Sequence, residues 1–153
     1  KKMFDDGLIY RGNYLVNWDP VTQTALADDE VEYEDQPDAS LWFFRYPFKD
    51  GSGYVTVATT RPETKFGDTA LAVSPKDPRY SKYVGKEIEI EDVLGKSKIK
   101  VIADGAVDPE FGTGVVKVTP AHDFTDYEIG QRHDLPLVQV IDFDGKLTKK
   151  AGK

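Results

Sequence analysis

The sequence predicts a single α+β domain of 153 residues in which strands dominate, folded as a closed or nearly closed β-barrel with helices on its rim. Short segments rich in β-branched and aromatic residues recur along the chain, each bounded by Gly, Pro or Asp, as expected of a barrel or sandwich. Some segments alternate between charged and apolar residues, as from Glu87 to Ile90, which is typical of strands with one buried face. A hydrophobic content of 39% is enough for one continuous core at this length.

Residues 1–36 are interpreted as leading strands and a linker to a parent protein. Residues 3–8 predict the last turn of a helix that ends at Gly7, because Gly readily adopts the positive φ with which helices terminate. A strand is predicted over 9–18, where Tyr, Val, Leu and Trp are frequent, and a short one over 31–33. The lysine-rich first and last residues are typical of a segment cut from a longer polypeptide, so we expect an excised domain.

Residues 37–145 are interpreted as the barrel core, which contains the site. The aromatic segment 40–48, the turn residues 50–53 and the β-branched segment 54–59 together predict a β-hairpin. The other predicted strands share β-branched composition and flanking turn residues, and they cover 69–73, 87–90, 99–102, 115–119 and 137–141. Two helices are predicted, a short one over 78–83 and a longer one over 123–133.

The composition excludes several classes of function. The formal net charge of -7 argues against a nucleic-acid binder that works through a broad basic surface. Cys is absent, which excludes disulfides, a thiolate nucleophile and sulfur-based zinc sites, and fits a reducing cytoplasm. The two histidines, His122 and His133, match no short zinc-ligand spacing, so no metal site is expected. The apolar runs are far shorter than the roughly 20 residues of a membrane span, so no membrane contact is expected.

Polar residues cluster at the ends of three predicted strands, where packing alone does not require them. Period-two alternation places Lys117 and Thr119 on the same face of the strand 115–119. Asp123 and Asp126, at the start of the predicted helix, have two interpretations. They form a capping box at the positive end of the helix dipole, or they point into a pocket beside Lys117 and Thr119 and hold a cationic group. For Asp123 the two roles are compatible.

Two motifs in these segments are distinctive. The first is Thr59-Thr60-Arg61-Pro62-Glu63-Thr64 followed by Gly67-Asp68-Thr69, and the second is Phe111-Gly112-Thr113-Gly114 followed by the run from Lys117 to Asp126. Together they resemble the editing domain, called connective polypeptide 1, of class I aminoacyl-tRNA synthetases, and specifically that of valyl-tRNA synthetases. The resemblance covers nearly the whole chain. Isoleucine enzymes typically have Thr-Pro-Trp-Thr in place of 61–64, and leucine enzymes tend to have Asp for Glu63 and Ala for Asp68, so both departures favour valine.

The resemblance implies hydrolysis of the ester that joins a wrong amino acid, chiefly threonine, to the terminal adenosine of valine tRNA. The partners it implies are the 3′ end of valine tRNA carrying threonine and the rest of the parent synthetase, in a cytoplasmic, monomeric enzyme. The synthetic-site signatures His-Ile-Gly-His and Lys-Met-Ser-Lys-Ser are absent. The chain is therefore not expected to activate amino acids, and it is expected to hold no cofactor, since ATP and Mg belong to the parent's synthetic site.

By motif position, the resemblance implies an editing site formed by Thr59, Thr60, Arg61, Phe111, Lys117, Thr119, His122, Asp123 and Asp126. Asp126 is assigned to the α-ammonium of the substrate, a charge-assisted contact that also fixes the ester carbonyl in place. Lys117, Thr119 and Asp123 are candidates for contact with the threonine hydroxyl and with the attacking water, and these roles stay undivided. Phe111 is expected to pack on the substrate or the adenosine.

His122 is expected to order its loop or to touch the substrate. No side chain is an evident general base, which leaves the ribose hydroxyl of the tRNA to activate the water. Two alternatives remain open: editing in an isoleucine or leucine enzyme, and a non-catalytic β-barrel module that holds RNA or a partner protein. In the second alternative, Asp123 and Asp126 merely cap a helix.

Overall fold

The structure is a computed structural model that describes residues 1–36, 38–92 and 95–152. Within these residues the strands are β1 (Asn17–Asp19), β2 (Thr24–Leu26), β3 (Trp42–Pro47), β4 (Tyr54–Thr59), β5 (Ala70–Val73), β6 (Glu87–Asp92), β7 (Gly95–Ala103) and β8 (Val115–Val118). The α-helices are α1 (Lys2–Asp5) and α2 (Phe124–Arg132). The predicted dominance of strands is confirmed. Across the described ranges, neither helix has the length or apolarity needed to cross a membrane.

A four-stranded sheet lies at the centre of the molecule. Its strand order is β6-β7-β5-β8, with β5 parallel to β7 and antiparallel to β8. All of β5 is buried, because both faces of the strand are covered. Leu71 and Val73 belong to one core and Ala70 and Ala72 to another, on opposite faces of the sheet. A strand buried on both faces shows no alternation of polarity, which is what the run 69–73 displays.

The β3–β4 hairpin covers one face of this sheet. Its strands pair antiparallel from Trp42 opposite Thr59 to Pro47 opposite Tyr54, so the predicted hairpin is confirmed. The larger core unites buried residues of the hairpin and the sheet: Tyr46, Phe48, Val55, Val57, Leu71, Val73, Ile88, Ile90, Ile99, Val101 and Val115. The smaller core contains Ala70, Ala72, Val107, Val118 and, from α2, Ile129. Helix α2 thus packs on the face of the sheet that carries Ala70, Ala72 and Val118.

The strand ladders of the described residues do not close into a barrel. They form the central sheet, the β3–β4 hairpin and a small β1–β2 hairpin. An isolated bridge between Phe48 and Ile88 joins the larger hairpin to β6, and the Thr113 hydroxyl donates to the Thr56 carbonyl of β4 at 2.6 Å. These contacts bring the sheets together without continuous pairing, so closure of the barrel stays a prediction.

The leading segment contains less strand than predicted. Of the strand predicted over 9–18, only Asn17 and Trp18 lie in a strand, β1, which pairs with β2 across the turn at Pro20. The apolar side chains of residues 9–16 are largely exposed, because β-branched and aromatic residues do not hold a strand where no neighbouring strand pairs with them. The strand predicted over 31–33 is wrong for the same reason. The helical turn that ends at Gly7 is confirmed, with a φ of +72° at this glycine.

Predictions in the second half of the chain fare unequally. The strand predicted over 137–141 is wrong, since this segment makes only an isolated bridge between Ile141 and Leu147. The helix predicted over 78–83 is a 3-10 helix over Ser81–Tyr83. The helix predicted over 123–133 is confirmed as α2, with Asp123 as its N-cap.

Candidate functional site

A pocket of about 430 Å³ lies where the ends of β4 and β8 meet the first turn of α2. All nine residues that the sequence assigns to the site line this pocket, together with neighbours that include Ala58, Thr64 and Ile129. Its volume is in the range of pockets that take a small ligand. The structure thus brings the nine residues together, while their chemical roles stay predictions.

Lys117 presents a buried ammonium to the pocket from β8. The side chain shares its face of the strand with Thr119, as alternation predicts, and Nζ donates to the Thr119 hydroxyl at 3.2 Å. Nζ also donates to the hydroxyl of Thr64 at 2.5 Å. Thr64 belongs to the first motif but was not assigned to the site from the sequence. Both hydroxyls are almost wholly buried. They accept hydrogen bonds from the ammonium in place of the water that its burial removes.

The carboxylate of Asp126 hydrogen-bonds to the end of β8 and not to the start of its own helix. Asp123 accepts the backbone N–H of Asp126 at 3.0 Å, which is an ordinary N-cap. The Asp126 carboxylate does not complete the capping box, and that interpretation is wrong. It accepts instead the backbone N–H of Thr119 at 2.8 Å and the Thr119 hydroxyl at 3.0 Å. The strand ladder has ended at this point, and the buried N–H of Thr119 needs an acceptor.

The second oxygen of Asp126 is the one that can serve a ligand. Both hydrogen bonds to the carboxylate end on Oδ2, and Oδ1 receives none from the residues described. Burial raises the pKa of Asp126 above its ordinary value, and the hydrogen bonds from Thr119 oppose that rise. A cationic group beside Oδ1 would compensate the buried charge, which is the contact that the second interpretation of Asp126 requires.

Arg61 and His122 hold the rim of the pocket. The Arg61 guanidinium donates to the backbone carbonyl of His122 at 2.7 Å, and its Nε donates to Glu63 at 3.2 Å. The His122 ring accepts the backbone N–H of Val140 through Nε2 at 2.9 Å. An accepting nitrogen means a neutral ring, in accord with a pKa that burial, Arg61 and Lys117 lower. His122 therefore orders the segment around Val140, and its contact with the substrate stays a prediction.

The loop that carries Phe111 is fixed from the side away from the pocket. The Phe111 ring is 57% exposed at the pocket. Arg79 pairs with the buried carboxylate of Asp77 through Nε and Nη2, and Nη2 also donates to the carbonyl of Pro109 at 2.6 Å. Gly112 has a φ of +58°, and a Cβ there would come within 2.9 Å of the Ala58 side chain. Asp77 and Arg79 lie outside both motifs, about 30 residues before the loop that they hold, and no local pattern in the sequence indicates this role.

A buried carboxylate stands behind Lys117. The side chain of Asp68 is wholly buried, and the Tyr46 hydroxyl donates to its Oδ2 at 2.5 Å. Oδ1 lies 3.8 Å from the Lys117 ammonium and makes no hydrogen bond within the described chain. Burial raises the pKa of Asp68 to about 7, although Lys117 opposes the rise. Asp68 lies in the first motif, but it falls between elements, where alternation does not indicate which way a side chain points.

Residues 1–133 match the family model of class I tRNA synthetases for I, L, M and V. The valine–tRNA ligase of Protochlamydia amoebophila is 60% identical over 152 residues, which are 99% of this chain and 16% of that protein. The ligases of a Nostoc and a Synechocystis species are 54% and 55% identical, each over 99% of this chain and 15% and 16% of their own lengths. The chain thus spans about one sixth of the length of the curated relatives it matches.

Among solved structures, the LeuRS–tRNA–LeuAMS ternary complex of Agrobacterium radiobacter K84 is similar to the chain. The TM-score is 0.51 at 20% identity, over 91% of this chain and 27% of that chain. At this identity the likeness concerns the fold, and it agrees with the strand-dominated architecture. The chain belongs to the class I tRNA synthetase family, and over nearly all its length it corresponds to one segment of the valine–tRNA ligases.

Proposed function

We propose that this chain carries out post-transfer editing for a valine–tRNA ligase, by hydrolysing the ester of threonine wrongly joined to valine tRNA. One observation carries the proposal: Oδ1 of Asp126 accepts no hydrogen bond from the described residues, and it lies in a pocket that is also lined by Lys117 and Thr119. An aminoacyl ester carries an α-ammonium, and that group is the natural occupant of the position beside Oδ1.

The need for such a site follows from the chemistry of the two amino acids. Valyl-tRNA synthetase is itself the standard example: its valine pocket rejects the isosteric threonine by only about 10². A second site must then accept the hydroxyl and refuse the methyl group. Lys117, Thr119 and Asp123 are polar groups that a threonine hydroxyl satisfies, whereas valine would leave at least one of them without a partner.

Asp126 fixes the ammonium, and through it the position of the ester carbonyl, so that water meets the carbonyl in a defined geometry. The three polar residues divide the hydroxyl contact and the positioning of the water. Asp123 has already committed one oxygen to the cap of α2, which leaves Oδ2 for a ligand in the part of the chain described. The ribose hydroxyl of the tRNA activates the water, since Nε2 of His122 already accepts the hydrogen bond of the Val140 N–H and is not free to act as a base.

The remaining parts of the proposal concern the parent protein. Residues 1–36 connect the domain to a synthetase that activates valine with ATP and Mg, and the RNA partner is the 3′ end of valine tRNA. The identity of 51–60% to valine–tRNA ligases supports valine over an isoleucine or leucine enzyme. Barrel closure around the pocket belongs to the same proposal.

The test uses the full-length enzyme that contains this chain, with valine tRNA charged with threonine or with valine. Deacylation of the threonyl ester should be faster by up to about 10⁴ to 10⁵, the range that a pocket built to hydrogen-bond a hydroxyl can reach. Equal rates for the two esters would exclude a pocket that senses the hydroxyl. Preferential hydrolysis of valine from isoleucine tRNA would point to an isoleucine enzyme instead.

A further inference from the structure

Asp68 is the buried ionisable group that the proposed editing reaction leaves without a role. Its side chain is wholly buried, and it does not line the pocket. Burying a carboxylate costs free energy unless the charge is paired and hydrogen-bonded. In the described ranges, one oxygen of Asp68 has no hydrogen bond. A hydrophobic side chain at this position would meet the needs of packing alone.

The charged and titratable groups around Asp68 come from four elements. Tyr46 of β3 donates to Oδ2, and Lys117 of β8 faces Oδ1 at 3.8 Å. Lys65, in the 3-10 helix before Asp68, and Asp126 of α2 act at longer range and with opposite sign. Lys117 therefore carries the positive charge nearest to Asp68. Asp68 is the buried counter-charge of Lys117 and does not itself line the pocket.

The ammonium of Lys117 has three N–H donors. Two of them are engaged by the hydroxyls of Thr64 and Thr119, at 2.5 and 3.2 Å. Both hydroxyls are neutral, so they orient the ammonium but do not balance its charge. Asp68 supplies the charge, and at 3.8 Å it is too far for a hydrogen bond that would consume the third donor. Among the described residues that third donor has no acceptor, so it is left for the pocket.

We propose that Asp68 is a positioning residue for Lys117: its buried carboxylate holds the ammonium against the two threonine hydroxyls and so fixes the donor that Lys117 presents to the ester substrate. The inference rests on the proposed editing function. Asp68 touches no substrate and acts only through Lys117.

The role depends on the charge of Asp68, which gives it a distinctive pH dependence. Burial raises the pKa of this carboxyl to about 7, so the counter-charge is present above that pH and lost below it. An uncharged Asn should therefore match the wild type in acid and fall behind it in base. A purely structural role for the side chain would give a constant ratio.

The experiment measures single-turnover deacylation of threonyl-tRNA by the full-length enzyme from pH 6 to 8.5. Asp68→Asn should match the wild type within about twofold at pH 6 and be slower by about ten- to a hundredfold at pH 8.5, the scale of a displaced catalytic group. In a Lys117→Met background, Asp68→Asn should change the rate by less than about twofold, because its effect requires the ammonium. Asp104→Asn is the matched control, since the Asp104 side chain is also buried but binds Arg132 and His133.

Each result decides the question. A pH-independent loss, or a loss that persists beside Lys117→Met, would overturn the positioning role, as would an Asp68→Asn enzyme that matches the wild type at every pH. If Asp68→Asn does not fold, as judged by aminoacylation and melting, Tyr46→Phe replaces it in the same double-mutant comparison, and additive losses then refute the proposal. A wild type that never hydrolyses threonyl-tRNA would instead refute the editing function itself.

Discussion

Replacing Asp126 by Asn tests the proposed substrate contact with little disturbance of the fold. Ala is a poorer choice, because it would leave the buried N–H of Thr119 without an acceptor, at about 1–3 kcal/mol. The side-chain oxygen of Asn can still accept from Thr119 while the negative charge disappears. The N-cap of α2 is also retained, since Asp123 supplies it.

The expected loss of activity follows from the bond that is removed. A charge-assisted hydrogen bond to the substrate ammonium contributes about 1.5–3 kcal/mol, so Asp126→Asn should slow deacylation by about ten- to a hundredfold. Stability should move the other way. Because burial raises the pKa of Asp126, its ionised form weakens the folded state as the pH rises through that pKa, and a neutral Asn removes this cost at pH 7.

The assay pairs threonyl-tRNA deacylation with thermal melting monitored by circular dichroism, using wild type, Asp126→Asn and Asp126→Ala. We expect Asn to melt at or slightly above the wild-type temperature and to lose activity, and Ala to melt lower and to lose activity as well. An Asn variant that deacylates threonyl-tRNA at the wild-type rate would show that the carboxylate serves only Thr119 and the fold. Melting at a markedly lower temperature would contradict the assignment of Oδ2 as the structural oxygen.

Three other predictions concern stability, loop order and the limits of the fragment. Between pH 5 and pH 8, the free energy of unfolding should fall by about 2.5 kcal/mol more in the wild type than in Asp68→Asn, because a folded-state pKa near 7 means that stability is lost as the pH rises. Denaturant titration at several pH values checks this, and an equal change in the free energy of unfolding for the two proteins would contradict it. Arg79→Lys keeps the charge but loses the two-pronged contact with Asp77, so hydrogen exchange in residues 108–114 should quicken and the KM for threonyl-tRNA should rise, whereas unchanged exchange would mean that other contacts hold the loop. The isolated chain should support no valine-dependent pyrophosphate exchange, since it lacks both synthetic-site signatures, and any such activity would refute that expectation.

The parts of the fold that could be predicted are those that local chemistry determines. The turn residues 50–53 fix the β3–β4 hairpin, and Asp123 at the N-cap fixes the start of α2. Composition and alternation predict only a polar pocket at strand ends, and the nine site residues follow from the resemblance of their two motifs to the editing domain of valyl-tRNA synthetases. Alternation alone placed Lys117 and Thr119 on one face, where the structure has them in contact.

The predictions that are wrong concern segments whose structure depends on residues distant in sequence, which local patterns do not reveal. Residues 9–16 have strand composition but no strand beside them, and the N–H of Val140 bonds to His122 rather than to a neighbouring strand. The Asp126 carboxylate bonds to Thr119 where a local rule predicted a capping box. Asp68 is invisible to such rules, because only the packed hairpin and sheet reveal that it faces Lys117.

The central position of β5 has a consequence for how the pocket comes into being during folding. Its pairing with β8 joins residues 42 to 48 apart in sequence, from Val73 opposite Val115 to Ala70 opposite Val118, and this pairing brings Lys117 to Thr64. Contacts between residues so far apart in sequence form late in folding, because closing the loop between them costs conformational entropy before the contacts contribute any stabilisation. A chain emerging from the ribosome therefore has no pocket until α2 has been synthesised and docked. We expect hydrolytic activity to appear in one step, together with protection of the β5 amides from exchange.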